Sequence, residues 1–160
     1  MTVKAQPDGY HSITPYLITD DAPAAIEFYK KAFGATELMR LPGPGGKVMH
    51  AEIKIGDSPI MLADEFPDMG IHSAKSLGGT PVSLLIYTED ADAMFAQAIA
   101  AGATEKKPLA DQFYGDRSGT IGDPFGHSWT IASHTEDVTP EEIGRRFQEM
   151  MKQMGDGGES

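Results

Sequence analysis

The residues best placed by type and spacing to do chemistry are His50 and Glu52. They stand two apart in an alternating segment, so on a strand both side chains share one face. Two readings stand for them. They are a ligand-facing pair, in which the carboxylate fixes the imidazole tautomer or acts as a base, or a polar pair on the solvent side of an antiparallel sheet. Tyr114, Asp116 and Arg117 form a second group, just before or within a strand. Its guanidinium recognises a carboxylate or phosphate, or makes a local ion pair that ties down a turn. His127 and Trp129 also alternate and share one strand face, while Ser128 and Thr130 share the other.

Several chemistries are excluded by pattern. Cysteine is absent, which removes thiol nucleophiles, disulfides and Cys-zinc sites and fits a reducing compartment. The five histidines (11, 50, 72, 127, 134) show neither HExxH nor other zinc spacing. Leu41-Pro42-Gly43-Pro44-Gly45-Gly46-Lys47-Val48 has the glycines of a phosphate loop, but lacks its first glycine and the Ser/Thr after lysine. It lies between two strands and reads as a hairpin connection. No G-x-S-x-G elbow occurs, and no glycine fingerprint follows a strand to hold a dinucleotide or methyl donor.

The elements that must position these residues come as an internal repeat. Thr19-Asp20-Asp21 and Gly34-Ala35-Thr36-Glu37 recur as Thr88-Glu89-Asp90 and Gly102-Ala103-Thr104-Glu105, and Ile55-Gly56-Asp57 recurs as Ile121-Gly122-Asp123. The spacings are 69, 68 and 66 residues, as expected for two copies of one supersecondary unit. In the first copy a strand over Ile13–Ile18 precedes a helix capped by Asp20 or Asp21, with Pro23 in its first turn, an apolar stripe of Ile26, Tyr29 and Phe33, and Gly34 beyond its end. Strands follow at about 35–41, 47–55 and 59–63. The second copy repeats this with a strand over Val82–Tyr87, a helix lined by Ala91, Met94, Phe95, Ala98 and Ile99, and strands near 103–108, 114–121 and 127–133.

The expected fold is therefore α+β, two βαβββ units at about 11–65 and 80–135 joined by a Pro/Gly/Ser-containing linker at 66–79. Thr139-Pro140-Glu141-Glu142 is a capping box that opens a separate helix over about 139–154, and the final GDGGES is read as a frayed tail. Its stripe of Ile143, Phe147, Met150 or Met151, and Met154 is read as core or dimer packing. At 160 residues and 40% hydrophobic the chain makes one domain with a sizeable core. The 24 acidic against 13 basic residues, net −11, repel nucleic acid and anionic lipid. Neither a secretory signal nor a run of about 20 apolar residues is present, so a cytoplasmic location is expected.

This duplicated unit resembles the vicinal oxygen chelate superfamily of glyoxalases, bleomycin-resistance proteins and extradiol dioxygenases, and in particular its PhnB-like branch. The resemblance rests on Thr14-Pro15-Tyr16-Leu17, Ala25-Ile26-Glu27-Phe28-Tyr29, His50-Ala51-Glu52, Tyr114-Gly115-Asp116-Arg117 and Asp123-Pro124-Phe125-Gly126-His127-Ser128-Trp129. It implies a cupped open barrel whose concave site often lies at a dimer interface. It also implies a metal held by histidines on the first strands and carboxylates on the last. Carried over residue by residue, those four positions are Thr14, Met61, Ser83 and Thr130. Hydroxyls and a thioether do not replace imidazole and carboxylate around Zn, Ni, Fe or Mn.

The expectation is thus a homodimer that binds a small organic ligand with no metal or other cofactor. Its catalytic residues are unassigned. The ligand is lined by Thr14, Met61, Ser83 and Thr130, with His50, Glu52, Tyr114 and Arg117 as orienting groups. Two alternatives are a lyase or dioxygenase with a relocated metal, through His50, Glu52 and Asp64 or Asp116, and an interaction protein whose cup is filled by its own side chains.

Overall fold

Asp21 starts the first helix by accepting a hydrogen bond from the Ala24 amide at 3.1 Å, and Gly34 ends it in a left-handed conformation at φ 68°. In a computed structural model describing residues 2–156, these signals bound helix α1, Ala22–Phe33. Around it stand strands β1 (Tyr16–Thr19), β2 (Thr36–Pro42), β3 (Val48–Ile55) and β4 (Ser58–Asp64). The second copy holds β5 (Ser83–Tyr87), β6 (Thr104–Asp111), β7 (Asp116–Gly122) and β8 (Ser128–His134). Helix α2 (Ala74–Leu77) lies in the connecting segment, and α3 (Ala91–Ala101) follows β5 in the second copy.

Each copy forms a four-stranded mixed sheet, in the orders β1-β4-β3-β2 and β5-β8-β7-β6. The first strand runs parallel to the fourth, and the other pairs are antiparallel. Neither sheet closes, which gives two open βαβββ units. β1 begins at Tyr16 rather than Ile13 because Ile13 is 85% exposed and the first ladder bond runs from the Met61 amide to the Pro15 carbonyl.

The helix-facing residues of both sheets join one apolar cluster. Leu17, Ala51, Ile53 and Leu62 from the first sheet meet Ile121, Trp129 and Ile131 from the second, with Ile26, Tyr29 and Phe33 of α1 and Phe95 of α3. Alternation therefore leaves Tyr16, Ile18, His50, Glu52 and Met61 on the opposite face of the first sheet, and Ser83, Leu85, Tyr87, Thr120 and Thr130 on that of the second. Trp129 sits against Phe33 of the other unit at 4.8 Å between ring centroids. His127 reaches across as well, from Nε2 to the Ile18 carbonyl at 3.1 Å, while its amide bonds within the turn to Asp123 at 2.9 Å.

The connecting segment is more structured than its composition suggests. It contains a 3₁₀ turn at Pro67–Met69 and α2, and Phe66 and Ile71 pair with each other. Glu65 accepts hydrogen bonds from Ser73 Oγ at 2.7 Å and Ser76 Oγ at 2.6 Å, which folds the segment back on itself. The Ser76 and Ser73 hydroxyls hold the Glu65 carboxyl below its ordinary range.

Helix α4, Pro140–Asp156, is opened by the Thr139 hydroxyl, which accepts from the Glu142 amide at 3.2 Å. It extends through the first two residues of the expected tail, and residues 157–160 lie outside the described ones. Its apolar stripe is not core: Phe147, Met150, Met151 and Met154 are 36–67% exposed. Phe147 contacts Phe113 at 5.9 Å, and Arg146 pairs with Glu136 at 2.8 Å, which anchors the helix to the loop before β7 and the segment after β8.

Candidate ligand site

Strand register brings the first chemical group together. Tyr16, Met61 and Glu52 form one row across β1, β4 and β3, and His50 follows Glu52 on the same face. Tyr16 reaches past Met61 to His50, with 2.8 Å between Tyr16 Oη and His50 Nδ1. His50 Nε2 lies 3.0 Å from Glu52 Oε2, and the Tyr10 hydroxyl donates to the other oxygen of Glu52. The result is a continuous polar chain, Tyr16–His50–Glu52–Tyr10. Partial burial pushes the Tyr16 phenol above its ordinary range.

Beside this chain is a cavity of about 490 Å³. Ile18 and Ala63 form part of its sheet wall, Phe66, Met69, Ile71 and Leu77 of the connecting segment line its other side and leave it open to solvent, and Tyr16 and His72 add polar groups. Asp64 also borders it, but its carboxylate is committed to the backbone, accepting from the Ala22 amide at 2.7 Å and the Val48 amide at 2.6 Å. A second cavity of about 490 Å³ lies between the β3–β4 turn, residues 11–15 and β5. None of Thr14, Met61, Ser83 or Thr130 lines either of these two cavities.

Two of the four aligned positions, Met61 and Thr130, are equivalent in register. Met61 lies opposite Tyr16 and Glu52, and Thr130 opposite Leu85 and Thr120, at offsets of 69 residues for Met61/Thr130 and Tyr16/Leu85 and 68 for Glu52/Thr120. Thr130 Oγ1 is 3.0 Å from Thr120 Oγ1. Ser83 is exposed at the start of β5, and Thr14 precedes β1. These donors do not fit the metal that such positions hold elsewhere. Among the described residues no group of three or more His, Asp or Glu side chains is placed to hold a metal ion, so His50, Glu52, Asp64 and Asp116 do not converge.

Arg117 departs from the expected orienting role. It points to the helix side of its sheet, where Nε and Nη2 engage Asp92 of α3 at 2.8 and 2.9 Å, with Asp111 at 3.4 Å. It is a structural fork rather than a neighbour of His50. Tyr114 stands before β7, packed edge-on against Phe113 at 5.2 Å. Asp116 belongs to another cluster: it accepts from Tyr87 Oη at 2.7 Å and meets His134 Nδ1 at 2.8 Å, while His134 Nε2 meets Asp137 at 2.7 Å.

Sequence reasoning did not assign Tyr10, Tyr16 or His72 to the site. The signal for Tyr16 was its alternation with Leu17 on β1, which puts it on the outward face. Tyr10 comes from a segment without periodicity, and nothing local pointed to its partner.

Open mixed sheets of duplicated βαβββ units with an outward-facing polar chain define a glyoxalase-like protein. The chain belongs to the Glyoxalase/Bleomycin resistance protein/Dioxygenase superfamily, whose family pattern matches residues 9–131. It is 42% identical over 160 residues to the uncharacterised protein Mb0911c of Mycobacterium bovis, covering 98% of this chain and 100% of that one. The crystal structure of the Arabidopsis thaliana At5g48480 product is similar, with TM-score 0.64 and 31% identity over 77% of this chain and 98% of that one. TioX from Micromonospora sp. ML1 is also similar, with TM-score 0.62 and 26% identity over 78% of this chain and 98% of that one. No helix among the described residues is long and apolar enough to cross a membrane.

Proposed function

We propose that this protein binds a small, largely apolar organic molecule on the outward face of its first unit, without a metal centre. The observation that carries this reading is the cavity of about 490 Å³, walled by Ile18, Ala63, Phe66, Met69, Ile71 and Leu77 and touched by only a few polar groups. That size and composition suit a ligand pocket, in which apolar walls supply affinity and sparse polar atoms supply orientation. In this reading His50 and Glu52 orient the ligand through Tyr16, and Met61 is the apolar neighbour between them. The donor set Thr14, Met61, Ser83 and Thr130 supports a metal-independent role.

The working form is a homodimer in the cytoplasm. Support for association is the apolar outward surface, where Tyr16, Leu41, Leu85 and Tyr87 are 48–63% exposed. The reading is tested by thermal shift of the purified protein against a panel of small aromatic and aliphatic compounds. A specific binder of the folded state raises the melting temperature in proportion to RT ln(1 + [L]/Kd). Introducing bulk at the exposed part of the wall, Met69→Trp, is expected to abolish the shift while leaving the fold intact by circular dichroism. A panel that produces no shift, or shifts unaffected by Met69→Trp, would sink the proposal.

A further inference from the structure

We infer that the Glu52–His50–Tyr16 chain makes this cavity selective for apolar molecules that carry a hydroxyl or N–H donor, over equally apolar molecules that offer only an acceptor. The inference rests on the proposed ligand cavity and names the chemical class it takes. Its basis is the direction in which each hydrogen bond must run.

A carboxylate can only accept. Glu52 already accepts from Tyr10 on one oxygen, and its other oxygen stands 3.0 Å from His50 Nε2. The proton of a neutral imidazole therefore sits on Nε2, which leaves Nδ1 as a lone-pair acceptor. Tyr16 Oη, 2.8 Å from Nδ1, must spend its single proton there. Tyr16 also borders the cavity. What it still has to offer a ligand is a pair of acceptor sites on Oη, so a ligand donor is matched and a ligand acceptor meets lone pairs. Without Glu52 the ring would be free to hold its proton on Nδ1. Tyr16 could then turn its own proton toward the cavity, and the preference would disappear. His50 and Glu52 are thus positioning residues, and Tyr16 is the one that touches the ligand.

The experiment uses a matched pair of probes, 2-naphthol and 2-methoxynaphthalene, titrated calorimetrically into the full chain at neutral pH. The naphthol is expected to bind about tenfold more tightly, the effect of one net hydrogen bond. Tyr16→Phe should reduce the preference to within twofold. Nitrogen-15 spectra of the free protein should show His50 protonated on Nε2 and bare on Nδ1. In Glu52→Leu the two tautomers should mix, and the naphthol preference should fall with them. If both probes bind the native protein equally, donor selectivity is wrong and the cavity itself stands. If neither binds, the cavity reading fails together with it. A His50 proton on Nδ1 in the native protein would overturn the inference by itself.

Discussion

Tyr29 Oη donates to Asp123 Oδ2 at 2.6 Å, a buried bond between residues 94 apart that ties the helix of one unit to the β7–β8 turn of the other. Asp123 also accepts from Trp129 Nε1 at 2.9 Å and from the amides of Phe125 and His127 at 2.8 and 2.9 Å. A carboxylate with four donors tolerates burial, and the inter-unit core is built around it. Tyr29→Phe removes one donor and is expected to destabilise the protein by about 2 kcal/mol in urea denaturation.

The same bond sets an alkaline limit. Burial first, and the Asp123 charge second, push the Tyr29 phenol well above its ordinary value of 10.0. A raised acid contributes stability below the unfolded value and loses it as pH climbs beyond. The native protein should therefore lose stability above pH 10, and the Tyr29→Phe variant should show a shallower decline over that range.

Duplication extends to the helix caps, which gives a paired test. The Ala22 amide donates to Asp64 at 2.7 Å, and 69 residues on the Ala91 amide donates to Ser133 Oγ at 2.9 Å. Asp64 is 3% exposed and also takes the Val48 amide. Asp64→Ala is expected to cost about 3 kcal/mol, through two stranded backbone donors, against about 1 kcal/mol for Ser133→Ala. Equal losses would mean that the two caps carry the same load.

His134 stands between Asp116 and Asp137, and those carboxylates, Asp116 first, raise its pKa above 6.5. Raised in the folded state, it contributes stability fully below that value, and the contribution is lost as pH rises through the folded midpoint. A proton NMR titration should place the His134 midpoint above 6.5. Asp116→Asn should lower it more than Asp137→Asn, and His134→Gln should remove the corresponding slope in melting temperature.

The architecture was legible because both copies punctuate themselves. Asp21 and Asp90 cap, Gly34 and Gly102 stop, and alternation along β3 and β8 assigns Ile53 and Trp129 to the core. The shared face of His50 and Glu52 followed from a period of two. The partners that complete the site did not follow, because Tyr10 and Tyr16 lie 42 and 34 residues from theirs and meet them only through tertiary folding. Arg117 was legible only in part: it makes the local ion pair with Asp111 across the β6–β7 turn, but consecutive strand residues face opposite sides, so Asp116 is not its partner, and the tighter pair, with Asp92 25 residues away, forms only through tertiary folding. Composition marks the connecting segment as a linker and carries no record that Glu65 pins Ser73 and Ser76.

Metal content is the decisive measurement for a pocket without a metal centre. Elemental analysis of protein purified without chelator should find zinc, nickel, manganese and iron each far below one equivalent per chain, unchanged by Glu52→Leu or Met61→Ala. One equivalent of a transition metal, lost on substituting any of Thr14, His50, Glu52, Met61, Ser83 or Thr130, would contradict it.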